Sequence, residues 1–495
     1  MVSTMTSAEQ VKIPEGYKQT EVGVIPEDWG IKTIEEITSI VGDGIHATPV
    51  YSMAGGYFFV NGNNIDQGKI TLTENTKQID YQEFIKHKKV LTNRTIFLSI
   101  NGTIGNVGFY NDEPIILGKS AAYFNIKEGY SKFYIYYYLQ TNEVGQFFED
   151  GLTGTTIKNL GLGTIRSTPI ALPPLREQTA IANALSDVDN LIASLETLIA
   201  KKSAIKSAAM QQLLTGKKRL PAFVKESEKQ GVKQSSELDN TSEAAHTKQT
   251  TTLNSDLYKE SSEGLDSKSN QYSEVGNANN KQTAPRPGYK LTELGEIPED
   301  WEVVGLGYLF EDKVIRKRIS VQDDVTFIGM QDVSESAKIS NSHKVKYSDV
   351  KSGFTYFERN DVLVAKITPC FENGKGAFTD VLETDVGFGS TEFHVLRATS
   401  TTDSKYLYYF TNTVKFRKEL EGEMVGSAGH RRVPLSSIQT YQVAISKNKE
   451  EQTAIANVLS DMDTDLDSLQ QRLSKTQKIK QGMMQELLTG KTRLV

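Results

Sequence analysis

One cysteine, Cys370, stands in 495 residues. No disulfide can form within the chain, and such sparing use suits a reducing compartment such as the cytoplasm. Hydropathy shows no run of about 18 apolar residues, so no membrane-spanning helix is expected. The opening MVSTMTSAEQ is polar and lacks the apolar stretch of an export signal. Six histidines fall at no metal-ligand spacing, and a lone cysteine makes no zinc cluster. No GxGxxG follows a strand pattern. The closing LLTGKT lacks the glycine that a phosphate loop needs five positions before Gly490, where Gln485 stands. The Asn-Pro-Pro-aromatic signature of methyltransferases is missing; Pro173-Pro174 lies between Leu172 and Leu175. Glu372-Asn373-Gly374-Lys375 has a nuclease-like look but no paired upstream acid at a defined spacing. The chain presents no enzyme's constellation. Positive charge is also short: 56 Lys and Arg face 62 Asp and Glu, a net charge of −6. That balance lends no help to a nucleic-acid-binding reading, although ten acidic and seven basic residues between 222 and 285 account for part of it.

What the chain does have is repetition. GYKQTEVGVIPEDW, ending at Trp29, returns as GYKLTELGEIPEDW, ending at Trp301, 272 positions later. EQTAIANALSDVD from Glu177 returns as EQTAIANVLSDMD from Glu451, and QQLLTGKKRL returns as QELLTGKTRL, both 274 positions later. The segments between these anchors do not match in detail. A fixed frame with varied contents describes two versions of one tool.

Within each copy, the region after PEDW is rich in Gly, Asn, Thr and β-branched residues. Runs such as Tyr57–Val60 and Thr95–Leu98, set between the turn signals NGNN and NGT, read as short strands. One helical stretch is expected from Ser131 (SKFYIYYYLQTNEVGQFF), with its counterpart from Ser404 (SKYLYYFTNTVKF). The aromatic run Phe133 to Tyr138 reads as core rather than as a base-stacking platform. A long helix then follows Pro173-Pro174, free of Gly and Pro from Glu177 to Leu214 and stopped by Gly216. Ile181, Leu185, Val188, Ile192, Leu195 and Ile199 are spaced alternately four and three apart, as are Ile455, Leu459, Met462, Leu466, Leu469 and Leu473. That is the a/d seam of a coiled coil, and the matching seam of the other copy is the obvious partner. Polar Lys202 and Thr476 fall where the two seams would continue, so the register shifts there. The segment from Ala222 to Pro285 is polar and poor in large apolar residues, and reads as a flexible linker. The expected division is a first variable domain to residue 172, a helix over 173–220, the linker over 221–285, a second variable domain over 286–445 and a second helix over 446–495.

These anchors, PEDW opening each copy, ALPPLREQTAIANALSDVD, the long helix and the closing LLTGKKRL, resemble the specificity subunit of Type I restriction–modification systems. The resemblance covers both repeats, nearly the whole chain outside the linker, whose length departs from the family pattern. It implies an α+β fold of two target recognition domains separated by two long helices paired as an antiparallel coiled coil. It implies a non-catalytic reader of double-stranded DNA, each domain reading one half of a bipartite, asymmetric site. Two methyltransferase subunits would dock on the frame and restriction subunits would join them. No cofactor is expected on this chain; S-adenosylmethionine, ATP and magnesium belong to those partners, and no membrane is involved. A helix of about 38 residues spans roughly 57 Å at about 1.5 Å per residue. At about 3.4 Å per base-pair step, half-sites about one helical turn apart fit that length.

The variable segments carry the specificity, so candidate DNA contacts are chosen by chemistry and position. In the first copy they are His46, the NGNN amides Asn61, Asn63 and Asn64, the basic run Lys86, Lys88 and Lys89, Asn101 and Thr103, and Thr155 and Lys158. Asn suits adenine in the major groove and Lys suits phosphate. In the second copy they are Arg316, Lys317 and Arg318, Lys366 and Thr368 in the loop equivalent to Asn101, and His430, Arg431 and Arg432 after a Gly-rich turn that matches Lys158. A solvated surface fits Lys86 to Lys89 equally well, and plain turn chemistry fits Asn63 and Asn64. A two-armed scaffold that binds only proteins is the rival from another class, and the acidic balance favours it. Replacing Leu185 or Leu459 with Lys is expected to disturb assembly or half-site geometry. Normal methylation by either variant would count against a spacer built on this seam.

Overall fold

Each PEDW block closes a small β-hairpin. Tyr17–Thr20 pairs with Gly23–Pro26, and Tyr289–Thr292 with Gly295–Pro298, in the same register. The computed structural model describes residues 13–154, 158–224, 285–427 and 429–494. Most of the polar segment read as a linker, 225–284, lies outside the described residues. After each hairpin, a strand pairs with the strand that closes the same copy's variable region. Gly30–Thr33 pairs with Pro169–Leu172, and Trp301–Gly305 with Gln442–Ser446. The variable region is therefore an excursion that leaves and returns at one place, beside the start of the long helix.

The first excursion contains an antiparallel four-stranded sheet ordered Val107–Phe109, Thr95–Ser99, Ala121–Ile126, Thr38–Asp43. A second sheet is ordered Ile115–Leu117, Tyr57–Val60, Gln78–Ile79, Tyr51–Ser52. The second excursion has a three-stranded sheet, Gly376–Phe378, Val362–Ala365, Phe393–Leu396, and a four-stranded one, His343–Lys346, Asp324–Ile328, Val386–Gly389, Thr355–Glu358. In each copy one strand pair is parallel, Ile115–Leu117 with Tyr57–Val60 and Asp324–Ile328 with Val386–Gly389.

The helical stretch from Ser131 is two helices, not one: Lys132–Tyr138 and Asn142–Asp150. Ser131 caps the first and Thr141 the second, each side chain accepting a backbone N–H in the first turn. A hydroxyl at that position competes with continued helix and starts a new one. The counterpart divides in the same way, into Ser404–Thr411 and Val414–Gly422, with Thr413 as the second cap. Tyr134 to Tyr138 are buried, while Phe133 is exposed.

Leu175–Leu213 and Lys449–Leu487 form the two long helices, 39 residues each. The chain divides into two compact units, Met1–Thr197 with Gln471–Val495 and Leu198–Gln470, so each unit holds the start of one long helix and the end of the other. In the first unit Ile181, Ala182 and Leu185 share a core with Leu487 and Leu488. In the second, Ile455, Leu459 and Met462 share a core with Ala209, Met210, Leu213 and Leu214. Early residues of one helix thus meet late residues of the other, and the pairing is antiparallel within each unit. The seam is buried at Ile181, Leu185, Leu195, Ile455, Leu459 and Met462, and half-buried at Val188, Ile192, Ile199, Leu466, Leu469 and Leu473. Beyond Lys202, which bonds Asp465 at 2.6 Å, the buried line resumes at Ile205 and Ala209. No helix among the described residues is long and apolar enough to cross a membrane.

The repeated anchors are pieces of one cluster. In the first unit Trp29 Nε1 donates to Glu177 Oε2 at 3.3 Å. Arg493 donates to both oxygens of Glu177 at 2.7 and 2.8 Å and to both oxygens of Asp28 at 2.9 and 2.7 Å. In the second unit Trp301 Nε1 donates to Glu451 Oε2 at 3.1 Å, and Arg219 makes the same double fork to Glu451 and Asp300. The pattern recurs one layer along. Tyr137 donates to Asp189 at 2.8 Å, as Tyr409 does to Asp463. Asp189 also takes Lys480 at 2.6 Å, and Asp463 takes Lys206 at 2.5 Å. In all four cases the cation comes from the other repeat, the two lysines from its long helix and the two arginines from the segment that follows it. Gln178 and Gln452 each accept the backbone N–H that precedes the first aromatic helix, from Ser131 and Asp403, both at 2.9 Å. The LLTGK glycines seat the same cluster. Gly490 and Gly216 have φ of +73° and +69°, and a Cβ there would come within 2.4 Å of Pro26 and 2.6 Å of Pro298.

Removing one partner of a buried ion pair strands the other. Arg219 and Glu451 are 3% and 0% exposed, whereas Arg493 is 28% exposed. Arg219→Ala is expected to destabilise the protein by about 3–5 kcal/mol, and Arg493→Ala by about 1–3 kcal/mol. Denaturant unfolding of the two variants checks both the sizes and their order.

Candidate nucleic-acid interface

The candidate loops come together in the same way in both units. In the first, the loop after Thr95–Ser99 carries Asn101, whose backbone bridges Asn159, and Leu160 N donates to Ile100 O at 3.0 Å. Asn101 and Lys158 are therefore neighbours. In the second, the loop after Val362–Ala365 carries Ile367, whose backbone bridges Arg432, and Val433 N donates to Lys366 O at 2.9 Å. Thr368 N also donates to Arg431 O at 3.0 Å. The structure thus juxtaposes Lys366 and Thr368 with Arg431 and Arg432, and its backbone pairing matches that of Asn101 and Lys158.

The side chains differ. Lys158 and Thr103 are exposed, and a groove of about 890 Å³ runs beside Gly102, Asn106, Gln140, Asn142 and Lys158. Its amides offer hydrogen bonds, and Lys158 shares the lining with two carboxylates, Asp66 and Glu149. The second unit places Arg–Glu pairs at the matching loops. Arg432 donates from Nε and Nη2 to the two oxygens of Glu392 at 2.9 and 2.8 Å. The hydrogen bond from Arg432 holds the Glu392 carboxyl below its usual range. Arg431 Nη2 donates to Glu372 Oε1 at 3.0 Å, where Thr368 Oγ1 also donates at 3.3 Å. Glu372 Oε2 is buried with no hydrogen-bond partner among the described residues. Lys375, the other half of the nuclease-like EN-G-K run, turns away to Met330 O at 3.1 Å. Gly426, at φ +129°, packs against the backbone of His430 and Arg431, and a Cβ would meet His430 O at 2.7 Å. That close approach forms the turn that presents the two arginines. His430 is exposed.

Among the other candidates, the NGNN turn packs beside the Asn101 loop, where a Cβ on Gly62 would come within 3.3 Å of Asn101 O. His46 is exposed and 2.8 Å from Asp43. Asn61 and Asn64 bracket a 3₁₀ turn, Gly62–Asn64. Asn64 accepts from Asn61 N at 3.0 Å and donates to Thr71 O at 3.0 Å, and Asn61 accepts from Ser120 at 3.0 Å, while Asn63 is exposed. Lys86 sits 3.5 Å from Glu83 on the helix Tyr81–His87; Lys88 is exposed and Lys89 half-buried. Arg316, Lys317 and Arg318 form an exposed run in which Lys317 bonds Glu358 at 2.6 Å and Arg316 lies over the Tyr356 ring at 5.7 Å. Thr155 lies outside the described residues. Sequence reasoning noticed Glu372 only as part of the nuclease-like run and missed Glu392 altogether; they stand 59 and 40 positions from their arginines, and nothing local marks either pairing.

The chain thus holds two copies of one frame, each presenting a paired-loop surface of its own chemistry. A family model supplies the class: the Type I restriction modification DNA specificity domain matches twice, over residues 26–203 and 298–480. The chain belongs to that family. It is 37% identical over 167 residues to the Type I restriction enzyme EcoAI specificity subunit of Escherichia coli, a match spanning 32% of this chain and 28% of that protein. It is 24% identical over 497 residues to the putative Type I restriction enzyme MjaX specificity subunit of Methanocaldococcus jannaschii, spanning 97% of both. The crystal structure of a Type I restriction–modification S subunit from M. genitalium has the same fold. Its TM-score is 0.50 at 15% identity, covering 93% of this chain and 96% of that one.

If these loops touch DNA, Arg431→Ala with Arg432→Ala should weaken duplex binding measurably at moderate salt. An unchanged affinity would remove both residues from the interface.

Proposed function

We propose that this chain is the DNA-sequence-reading subunit of a Type I restriction–modification complex in the cytoplasm. It binds a bipartite, asymmetric double-stranded site, one half to each target recognition domain, the first ending near residue 172 and the second covering 286–445. One observation carries the reading: the same backbone pairing of loops recurs in both units with different side chains, amides and Lys158 in one and Arg–Glu pairs in the other. Two half-sites of unlike sequence call for that arrangement, as identical half-sites call for identical subunits. Each 39-residue helix is about 58 Å long, and this length serves as the spacer between half-sites. The chain itself does no chemistry. Two methyltransferase subunits bring S-adenosylmethionine, and restriction subunits bring ATP and magnesium.

Methyladenine is to be mapped across the genome with and without this gene. Loss of methylation at one bipartite motif is the expected result and names both half-sites. Purification of the tagged full chain from the same cells, with no methyltransferase or restriction subunit attached and no motif lost, would overturn the reading.

A further inference from the structure

Arg432 is held in a specific way. Its Nε and Nη2 edge is occupied by both oxygens of Glu392. The Nη1 and Nη2 edge faces no acceptor among the described residues, and the side chain is 45% exposed. Its backbone is fixed on both sides, by the bridge to Ile367 and by paired hydrogen bonds with Val425 at 2.8 and 3.0 Å. Glu392 is fixed as well: Lys366 N donates to its carbonyl at 2.9 Å, and its own N donates to Ser390 Oγ at 3.2 Å. A guanidinium gripped along one edge keeps a second edge of two parallel N–H groups, and their spacing matches the O6 and N7 acceptors of guanine in the major groove. Adenine offers a donor beside N7, thymine one acceptor and a methyl group, and cytosine a donor, so none satisfies both N–H groups. A free arginine at the tip of a loop swings readily to a phosphate. One braced by a carboxylate does not, and that carboxylate repels phosphate.

We propose that Arg432 reads a guanine in the half-site of the second unit, and that Glu392 is the positioning residue that makes this contact base-specific. This rests on the DNA-reading function proposed above. It also distinguishes the two arms, because the matching loop of the first unit carries Asn159 where Arg432 stands and offers Lys158 and amides instead.

The test compares methyladenine maps from cells carrying the wild-type gene, Glu392→Gln or Arg432→Ala, with duplex binding by the purified complexes. Gln keeps the shape of Glu392 and removes its charge. The motif is expected to contain a guanine that becomes degenerate in both variants, in one half-site only, while the other half-site keeps its sequence. A bidentate arginine–guanine pair discriminates by roughly 5- to 150-fold, so binding preference for guanine at that position should fall within that range. Glu392→Gln should also bind random duplex more tightly, with a steeper salt dependence, because a released arginine turns to phosphate. A purely structural role for Glu392 would leave that slope unmoved. The proposal is overturned if the motif is unchanged in both variants, if both halves degrade together, or if no guanine position relaxes. A wild-type map with no motif would instead defeat the DNA-reading function.

Discussion

A buried carboxylate needs donors on both oxygens, and Glu177 and Glu451 each find them in the same two places. The indole comes from the PEDW block of the same repeat, the guanidinium from the LLTGKxR segment of the other, and the helix start supplies the carboxylate itself. Each repeat holds a tryptophan and a glutamate that are incomplete without an arginine from the other copy. Burying a charge without its partner is far more costly than burying the pair. The end of each long helix must therefore reach the start of the other, and antiparallel pairing within each unit follows. The Tyr–Asp–Lys contacts repeat the same demand one layer along.

With the frame fixed in this way, the excursions between its ends are free to vary. Gly30–Thr33 with Pro169–Leu172, and Trp301–Gly305 with Gln442–Ser446, pin the two ends of each excursion side by side. Whatever lies between starts and finishes at a set place. The loops that pair at Asn101 and Asn159, and at Ile367 and Arg432, keep their backbone meeting while their side chains differ. The specificity proposed for the chain falls in the part of each unit that the ion-pair cluster does not constrain.

The frame was legible in the sequence because it is written twice. The alternation of four and three located the seam, and burial of Leu185 and Leu459 at 0% exposure agrees with it. Sequence reading did not show that the anchors meet one another. Arg493 lies 316 positions from Glu177 and 465 from Asp28, and no local periodicity marks such a contact. The break at Thr141 was hidden in a stretch read as one continuous helix, although the hydroxyl that causes it was in view. The paired loops could be matched between copies by position. The pairing of Glu392 with Arg432 could not, since it joins a turn to a loop 40 positions away rather than running along a helix face.

The net charge of −6 has to be reconciled with the proposed DNA surface. Attraction to phosphate is independent of sequence, so a strongly basic surface adds affinity for every site alike. In the second unit Arg431, Arg432 and Lys317 are each matched by a glutamate. Such a surface draws little on long-range attraction and leaves discrimination to oriented hydrogen bonds. With the partner subunits proposed above to supply bulk attraction, an acidic chain with braced arginines suits a reader whose task is choice rather than grip.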